Sequence, residues 1–330
     1  MFTDKQPDDN ADNADESLQK PFTAGGELLP LVFINILHWR GVDHTRRCIE
    51  SVLKLKYANF KVLLVDNGSS NEESKPLMQL DAKRLLWLRL PENRGFSGGH
   101  NAGIKMALEN GAEFIWLLNN DATVEEDCLD KLVRIAQKQD HVGALNAAVL
   151  DTVPGSEASA ATTRGQGVID YRRGKTLLQA GPDKEFVDCE WLAASNLLLR
   201  RQAIEETGTF DERYFLYFED VELCQKLRLR GWRCLFVPGA RITHVGGAST
   251  EDNLKHWRSY YYTRNRLLFF QTYANLPQRL SSFFSIWMHL IRHCFSLSIK
   301  GEKGRKQLKA EIQGARDFLA GRFGQCSDLD

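Results

Sequence analysis

The sequence predicts an α/β protein built on an open, mostly parallel sheet. Short apolar runs of strand length alternate with segments of helical spacing from residue 31 to residue 139. The runs are apolar at nearly every position, as strands buried on both faces are. Each run ends in polar or Gly-rich residues, and the carboxyl ends of such strands are where open α/β sheets bind ligands. The order of motifs therefore predicts one shared crevice.

Leu31 to Leu37 is the first strand. Thr45 to Leu55 has helical spacing, with Cys48, Ile49, Val52 and Leu53 on one side. Phe60 to Val65 is the second strand and runs into Asp66-Asn67-Gly68-Ser69-Ser70. Leu85 to Leu90 is the third, ahead of Glu92-Asn93-Arg94-Gly95. Asn101 to Asn110 is a helix, Phe114 to Leu118 the fourth strand, and Val124 to Gln139 the next helix. Glycines break up residues 151 to 190, and Thr162 to Gly174 is expected to be a long loop. Trp191 to Leu199 returns to strand-like character, and Arg201 to Thr207 is a short helix closed by Gly208. Val221 to Arg230 is helical with Gly231 as its C-cap. Cys234 to Val237 is a strand followed by Pro238-Gly239. From Trp257 the chain is helical to its end.

Three parts follow: an acidic disordered tail at 1–28, an α/β domain at 29–256 and a helical region at 257–330. Lys plus Arg and Asp plus Glu both number 43, so net charge is zero and nothing suggests a nucleic-acid partner. The seven cysteines are scattered, with no Cys-x-x-Cys pair, which suggests reduced thiols in a cytosolic protein. No signal peptide or membrane span is expected. In the helical region Phe284, Trp287, Met288, Ile291 and Phe295 share one face, and Ser285, His289, Arg292, His293 and Ser296 the other. Residues 300 to 322 are rich in Lys and Arg. Two readings stand: an interfacial helix on an anionic membrane, or a helix packed on the α/β domain or a second subunit.

Four stretches carry chemistry. Tyr214 to Glu222 runs aromatic residues into Glu219, Asp220 and Glu222. A carboxylate beside apolar rings has its pKa raised, as a general base requires, although acids also favour the first turn of any helix. Asp66 at a strand end suits a nucleoside, or makes only a turn. Asn93 to Asn101 is Gly-rich and precedes a helix, but matches neither Gly-x-Gly-x-x-Gly nor the P-loop. Asn119-Asn120-Asp121 ends an apolar strand, where a carboxylate can hold Mg²⁺ or Mn²⁺, with His244 as a further candidate ligand.

These motifs occur together with Phe210-Asp211-Glu212, His244-Val245-Gly246-Gly247 and Tyr260-Tyr261-Tyr262-Thr263-Arg264-Asn265. In that order and spacing they resemble the family 2 glycosyltransferases of the GT-A fold, nearest the rhamnosyltransferase-like branch, over roughly residues 30 to 270. The resemblance implies an inverting sugar transfer from a nucleotide diphosphate, with dTDP-rhamnose the first expectation and UDP-sugars the alternative. The acceptor would be a cell-envelope glycan or lipid-linked hydroxyl, and the enzyme would sit on the inner face of the cell membrane. Asp220 would be the general base, and Asp121 and His244 the ligands of Mg²⁺ or Mn²⁺. Asp66, Asn93, Arg94, Gly95, Gly98, Gly99, Asn101, Asn119 and Asn120 would line the donor site. Trp191, Glu219 and Glu222 would face the acceptor.

The sequence departs from that pattern at three places. Asn119 replaces the first Asp of Asp-x-Asp. The first strand ends His38-Trp39-Arg40-Gly41, which leaves Arg40 as a phosphate contact, and Ala193-Ala194-Ser195-Asn196 stands where small-Gly-Ala-Cys is usual. A catalytically silent GT-A scaffold that binds a nucleotide sugar or partner enzyme, and a sugar nucleotidyltransferase, are the competing readings. The intact acids weigh against the first. The lack of a Gly-rich basic loop after the first strand weighs against the second.

Overall fold

A computed structural model describes residues 28–80, 83–151, 163–182, 184–244, 255–298 and 301–326. The acidic tail lies outside them apart from Leu28. Four parallel strands, β1 (Val32–His38), β2 (Phe60–Asn67), β3 (Leu85–Leu90) and β4 (Phe114–Asn119), lie in the order β3-β2-β1-β4. Helices α1 (Val42–Val52), α2 (Asn71–Met78) and α3 (Gly95–Glu109) connect them. The chain steps outward from β1 to β3 and then returns to the other side of β1 as β4. That reversal opens a crevice at the carboxyl ends of β1 and β4, where Leu37 pairs with Asn119.

Alternation along β1 explains why the strand is apolar throughout. Val32, Ile34 and Ile36 face the core under α1 and α4 (Cys128–Lys138), whereas Phe33 faces a second core under α3. The sheet continues through β10 (Asn196–Arg200), β6 (Val142–Asp151) and β11 (Arg233–His244) to β5 (Ala122–Val124). Strand β10 runs antiparallel to β4 and β6, while β6 and β11 are parallel. Helices α5 (Arg201–Thr207) and α6 (Glu219–Leu229) pack on the α3 face.

Three elements differ from the sequence reading. The expected loop at 162–174 is mostly a hairpin, β7 (Thr163–Asp170) and β8 (Lys175–Ala180), with its tip at Gly174 (φ 58°). Its glycines mask the strand pattern because they serve close packing. A Cβ at Gly165 would meet the Phe236 ring, and one at Gly167 the carbonyl of Trp191. Strand β11 does not stop at Val237. Pro238–Ala240 bulge out and pairing with β6 resumes at Arg241, which carries the strand on to β5. Helix α3 begins at Gly95, so the Gly-rich run forms its first turns rather than a loop before it.

The C-terminal region is α7 (Lys255–Tyr273), α8 (Leu276–Ser298) and α9 (Gly301–Leu319). Helix α8 packs inward through Ser282, Ile286 and Leu290. Its outer arc keeps Phe284 71% and Ile291 60% exposed. Among the described residues, no helix is long and apolar enough to cross a membrane.

Candidate active site

At the end of β2 the Asp66 carboxylate is fully buried and held on both oxygens. Ser69 donates to it through its amide (2.9 Å) and hydroxyl, Ser74 through its hydroxyl (2.6 Å), and Arg89 pairs with it at 3.3 Å. Its charge fixes the turn at this wall of the crevice. Beside it, His38 is buried, with Nδ1 2.8 Å from Thr45 Oγ1, and burial lowers its pKa.

Asn67 was not singled out by sequence, yet it organises the next loop. Its Nδ2 donates to Asn93 Oδ1 and Gly95 O, both at 3.0 Å, and its Oδ1 accepts from the Arg94 amide at 3.0 Å. Arg94 forks onto both oxygens of Glu212 (3.1 and 2.9 Å). Asn101 accepts from the Phe210 amide at 3.0 Å and donates to Phe210 O at 2.9 Å. The glycines were expected to present amides to a donor. In the structure the protein fills the space at their Cα atoms. A Cβ would strike the Phe215 carbonyl at Gly95, Arg94 at Gly98 and Leu37 at Gly99. The visible work of this run is to dock α3 onto residues 210–215, completed by the bond from the Phe96 amide to Phe215 O (2.8 Å).

At the end of β4, Asn120 and Asp121 are buried. Asn120 Nδ2 donates to Arg40 O (3.0 Å) and Thr45 Oγ1 (2.9 Å), which ties the ends of β1 and β4 together. Arg40 lies with its guanidinium over the Trp39 ring, 4.2 Å from the centroid. Burial, and then Asp121, push the Cys48 thiol pKa up. The backbone of His244 lies directly opposite Ala122 in the β5–β11 pairing. The register thus sets the backbone of His244 beside the residue that follows Asp121. Val245 to Gly247 lie outside the described residues.

Asp220 sits in the first turn of α6, directly after two non-glycine residues at positive φ, Tyr217 (66°) and Phe218 (71°). Such consecutive strain persists only where the surroundings impose it. Helix α7 imposes it. Asn265 Nδ2 donates to Leu216 O (2.9 Å) and Tyr217 O (2.8 Å). The buried Arg264 donates to Arg213 O (3.2 Å), Gly324 O (2.8 Å) and Asn265 Oδ1 (3.0 Å). Sequence quoted both residues as part of a motif but had no role for them.

Asp220 Oδ1 accepts from the Val221 amide (2.8 Å) and Oδ2 from the Ala194 amide (3.2 Å). Burial pushes its pKa up to about 6, with those amides opposing. Burial, and then Asp220, hold the Glu219 pKa well above the carboxylate range. Of the pair, Glu219 is the one whose charged form burial and its neighbour disfavour more strongly. Glu222 was expected to face the acceptor. It is 3% exposed, accepts from the Tyr273 hydroxyl at 2.6 Å and pairs with Lys226 at 3.2 Å. It ties α6 to α7. Trp191 donates through Nε1 to Val168 O (3.2 Å), which braces the β7–β8 hairpin.

The two halves of the site meet at the departure noted at 193–196. Ala194 holds Asp220, and the next residue, Ser195, accepts from the Asn119 amide at 2.9 Å. One dipeptide therefore joins the Asp220 carboxylate to the Asn119–Asp121 turn. A buried carboxylate of raised pKa, a second acidic turn and a crevice at a topological switch suit group transfer.

The model of glycosyl transferase family 2 matches residues 41–208, just over half of the 330-residue chain. The chain belongs to that family. A relative of this family 2 protein is the N-acetylglucosaminyl-diphospho-decaprenol L-rhamnosyltransferase of Mycobacterium tuberculosis, 28% identical over 68% of this chain and 78% of that one. Another is the rhamnosyltransferase WbbL of Escherichia coli, 21% identical over 65% and 83%. The fold is the GT-A glycosyltransferase fold. GalNAc-T7, solved with UDP, GalNAc and Mn²⁺, superposes with a TM-score of 0.54 at 17% identity over 72% of this chain and 51% of that one. The mannosyltransferase PcManGT of Pyrobaculum calidifontis, solved with GDP-Man and Mn²⁺, gives 0.53 at 13% over 89% and 88%.

Proposed function

We propose that this family 2 glycosyltransferase moves rhamnose from dTDP-rhamnose, with inversion, to a hydroxyl of a lipid-linked or cell-envelope glycan. The observation that supports it most is the Ala194–Ser195 link between Asp220 and the Asn119–Asp121 turn. It sets a base and a diphosphate-handling turn at one crevice. The choice of rhamnose and of a diphospholipid acceptor follows the names of the two rhamnosyltransferase relatives.

In this reading residues 29–256 are the transferase unit. Residues 257–330 clamp its catalytic loop and meet the inner face of an anionic membrane. Asp220 takes the acceptor proton as the acceptor oxygen attacks the anomeric carbon from the face opposite the nucleotide. The C–O bond to the diphosphate breaks and the nucleoside diphosphate leaves. Asp66 and the turn it fixes form the nucleoside end of the crevice, with Asn93, Arg94, Asn101 and the glycines shaping its wall. Asp121 and His244, one carboxylate and one imidazole, would hold Mg²⁺ or Mn²⁺ at this end of the crevice. When bound, that ion neutralises charge on the leaving diphosphate. Glu219 shapes the field around Asp220 from the preceding position of α6.

Thermal shift with a panel of nucleotide sugars, with and without Mg²⁺ or Mn²⁺, tests the reading. Metal-dependent stabilisation by dTDP-rhamnose that Asp121→Ala abolishes is expected. Stabilisation by a UDP-sugar alone would replace the donor, and no shift with any nucleotide sugar would overturn the transferase reading.

A further inference from the structure

Between α7, α8 and α9 lies a cavity of about 380 Å³ whose polar lining the transfer chemistry does not use. Inner faces of packed helices are normally apolar, and polar groups there lose hydration. Here Arg258 and Arg266 enter from α7 and His289 and His293 from α8. The single acid among the lining residues is Glu311, which is 5% exposed. It is already engaged, by His293 Nδ1 at 3.0 Å and Gln307 Nε2 at 3.1 Å. Arg266 is 6% exposed and donates through Nε and Nη2 to the carbonyls of Gly174 and Arg173. Those carbonyls fix the guanidinium without neutralising it. Burial, then Arg266, His293 and Lys175, hold the His289 pKa below its ordinary value. The cavity thus presents uncancelled positive charge.

Its position matters as much as its charge. Tyr262 lines the cavity and packs edge-on against Phe218 at 5.2 Å, and Phe218 is the residue before Glu219 and Asp220. On the other side, Ile286 and Leu290 of the lining belong to α8. The outer arc of that helix exposes Leu276, Leu280, Phe284 and Ile291, and no Asp or Glu occurs anywhere in it. Arg292, and Arg305 and Lys309 at the start of α9, are exposed. From Asp220 through Phe218 and Tyr262 the fold therefore leads, in order, to the cationic cavity and then to the apolar arc of α8. A lipid-linked sugar reads, in order, hydroxyl, diphosphate, hydrocarbon.

We propose that this cavity binds the diphosphate of the lipid-linked acceptor, with its sugar directed to Asp220 and its hydrocarbon along the outer arc of α8. The inference rests on the acceptor class proposed above. It extends that reading by giving the acceptor's charged linker a site separate from the donor crevice. The same chemistry, a phosphate ester on a hydrocarbon, also occurs in anionic phospholipids, so the test includes both.

The experiment is calorimetric titration of the full chain with farnesyl diphosphate in EDTA, so that no metal supports diphosphate at the donor crevice. Farnesol, inorganic diphosphate and phosphatidylglycerol vesicles are run alongside. Farnesyl diphosphate is expected to bind at least about tenfold more tightly than farnesol, because charge-assisted hydrogen bonds supply the difference. Arg258→Ala and His289→Ala are each expected to weaken it about tenfold, with the nucleotide-sugar thermal shift kept as the check on folding. Arg266 is left intact because it also holds the hairpin. Undiminished farnesyl diphosphate binding in both variants would overturn the proposal. So would variants that lose vesicle binding and keep farnesyl diphosphate, since the cavity would then serve a phospholipid headgroup. Failure of the transferase reading would appear elsewhere, as no stabilisation by any nucleotide sugar, and would leave this isotherm unchanged.

Discussion

At the end of β2 the Asp66 carboxylate is held largely by near neighbours in sequence. Asp66 is fixed by Ser69 and Ser74, three and eight residues away. The loop that presents Asp220 is held from much further along the chain, by Asn265, 48 and 49 residues after its two carbonyl partners, and by Arg264, which also reaches Gly324. The first arrangement is part of the sheet and forms with it. The second exists only once three C-terminal helices have docked. The strain at Tyr217 and Phe218 is therefore sustained by the region that also carries the apolar arc, which places acceptor-side geometry under the control of the helical region.

Breaking the clamp at its most buried point should have the largest structural effect. Arg264→Met removes the charge-assisted hydrogen bonds to Gly324 O and Asn265 Oδ1 and leaves Arg213 O with the Gly324 amide alone, at about 1.5–3 kcal/mol for each lost bond. A loss of about 3–5 kcal/mol in chemical denaturation is expected. A loss under about 1 kcal/mol would mean that the clamp is dispensable. Asn265→Ala is the sharper cut. It removes two hydrogen bonds to the loop and should cost about 1–3 kcal/mol of stability. It should also lower kcat about ten- to a hundredfold through a misplaced Asp220, with nucleotide affinity retained. Equal loss of donor affinity would show that the two ends of the crevice are not separately held.

The smallest effect is expected at Glu219. Glu219→Gln keeps a side chain of the same shape beside Asp220 and should hold kcat at pH 7 within about threefold of the parent, the ordinary scale of a preserved hydrogen bond. The pH profile should keep its acidic limb. Activity needs ionised Asp220, so the rate should fall about tenfold per pH unit below a midpoint of about 6. Stability moves the other way. The folded-state pKa of Asp220 lies above its ordinary 3.8, so the folded chain holds this proton more tightly. Its contribution to stability is present at low pH and is lost as pH rises towards about 6. Above that pH Asp220→Asn should melt at a higher temperature than the parent.

Much of this architecture was legible because buried parallel strands write themselves as apolar runs with polar ends. The alternation from Leu31 to Gln139, the placement of Asn119–Asp121 at a crevice and the prominence of Tyr214 to Glu222 all follow from that. The β7–β8 hairpin was not legible, since Gly165 and Gly167 answer to Phe236 and Trp191, which lie far along the chain. For the same reason the packing of Gly95 against Phe215 and of Gly99 against Leu37 could not be read ahead of the fold. Glu222 read as an acceptor contact because its partner Tyr273 is 51 residues away. In α8 the apolar face seen in sequence is divided: Phe284 and Ile291 lie outside, while Trp287 packs against the core that Ile286 and Leu290 enter. A helix apolar on two sides gives a periodicity that does not say which side is buried.

The most direct test of the central claim is the single-turnover rate of sugar transfer by Asp220→Asn, with donor and acceptor saturating. A fall of about 10²–10⁴-fold is expected, with the donor-induced thermal shift intact. A rate near that of the parent protein would show that Asp220 is not the base, whatever the geometry of the loop that holds it.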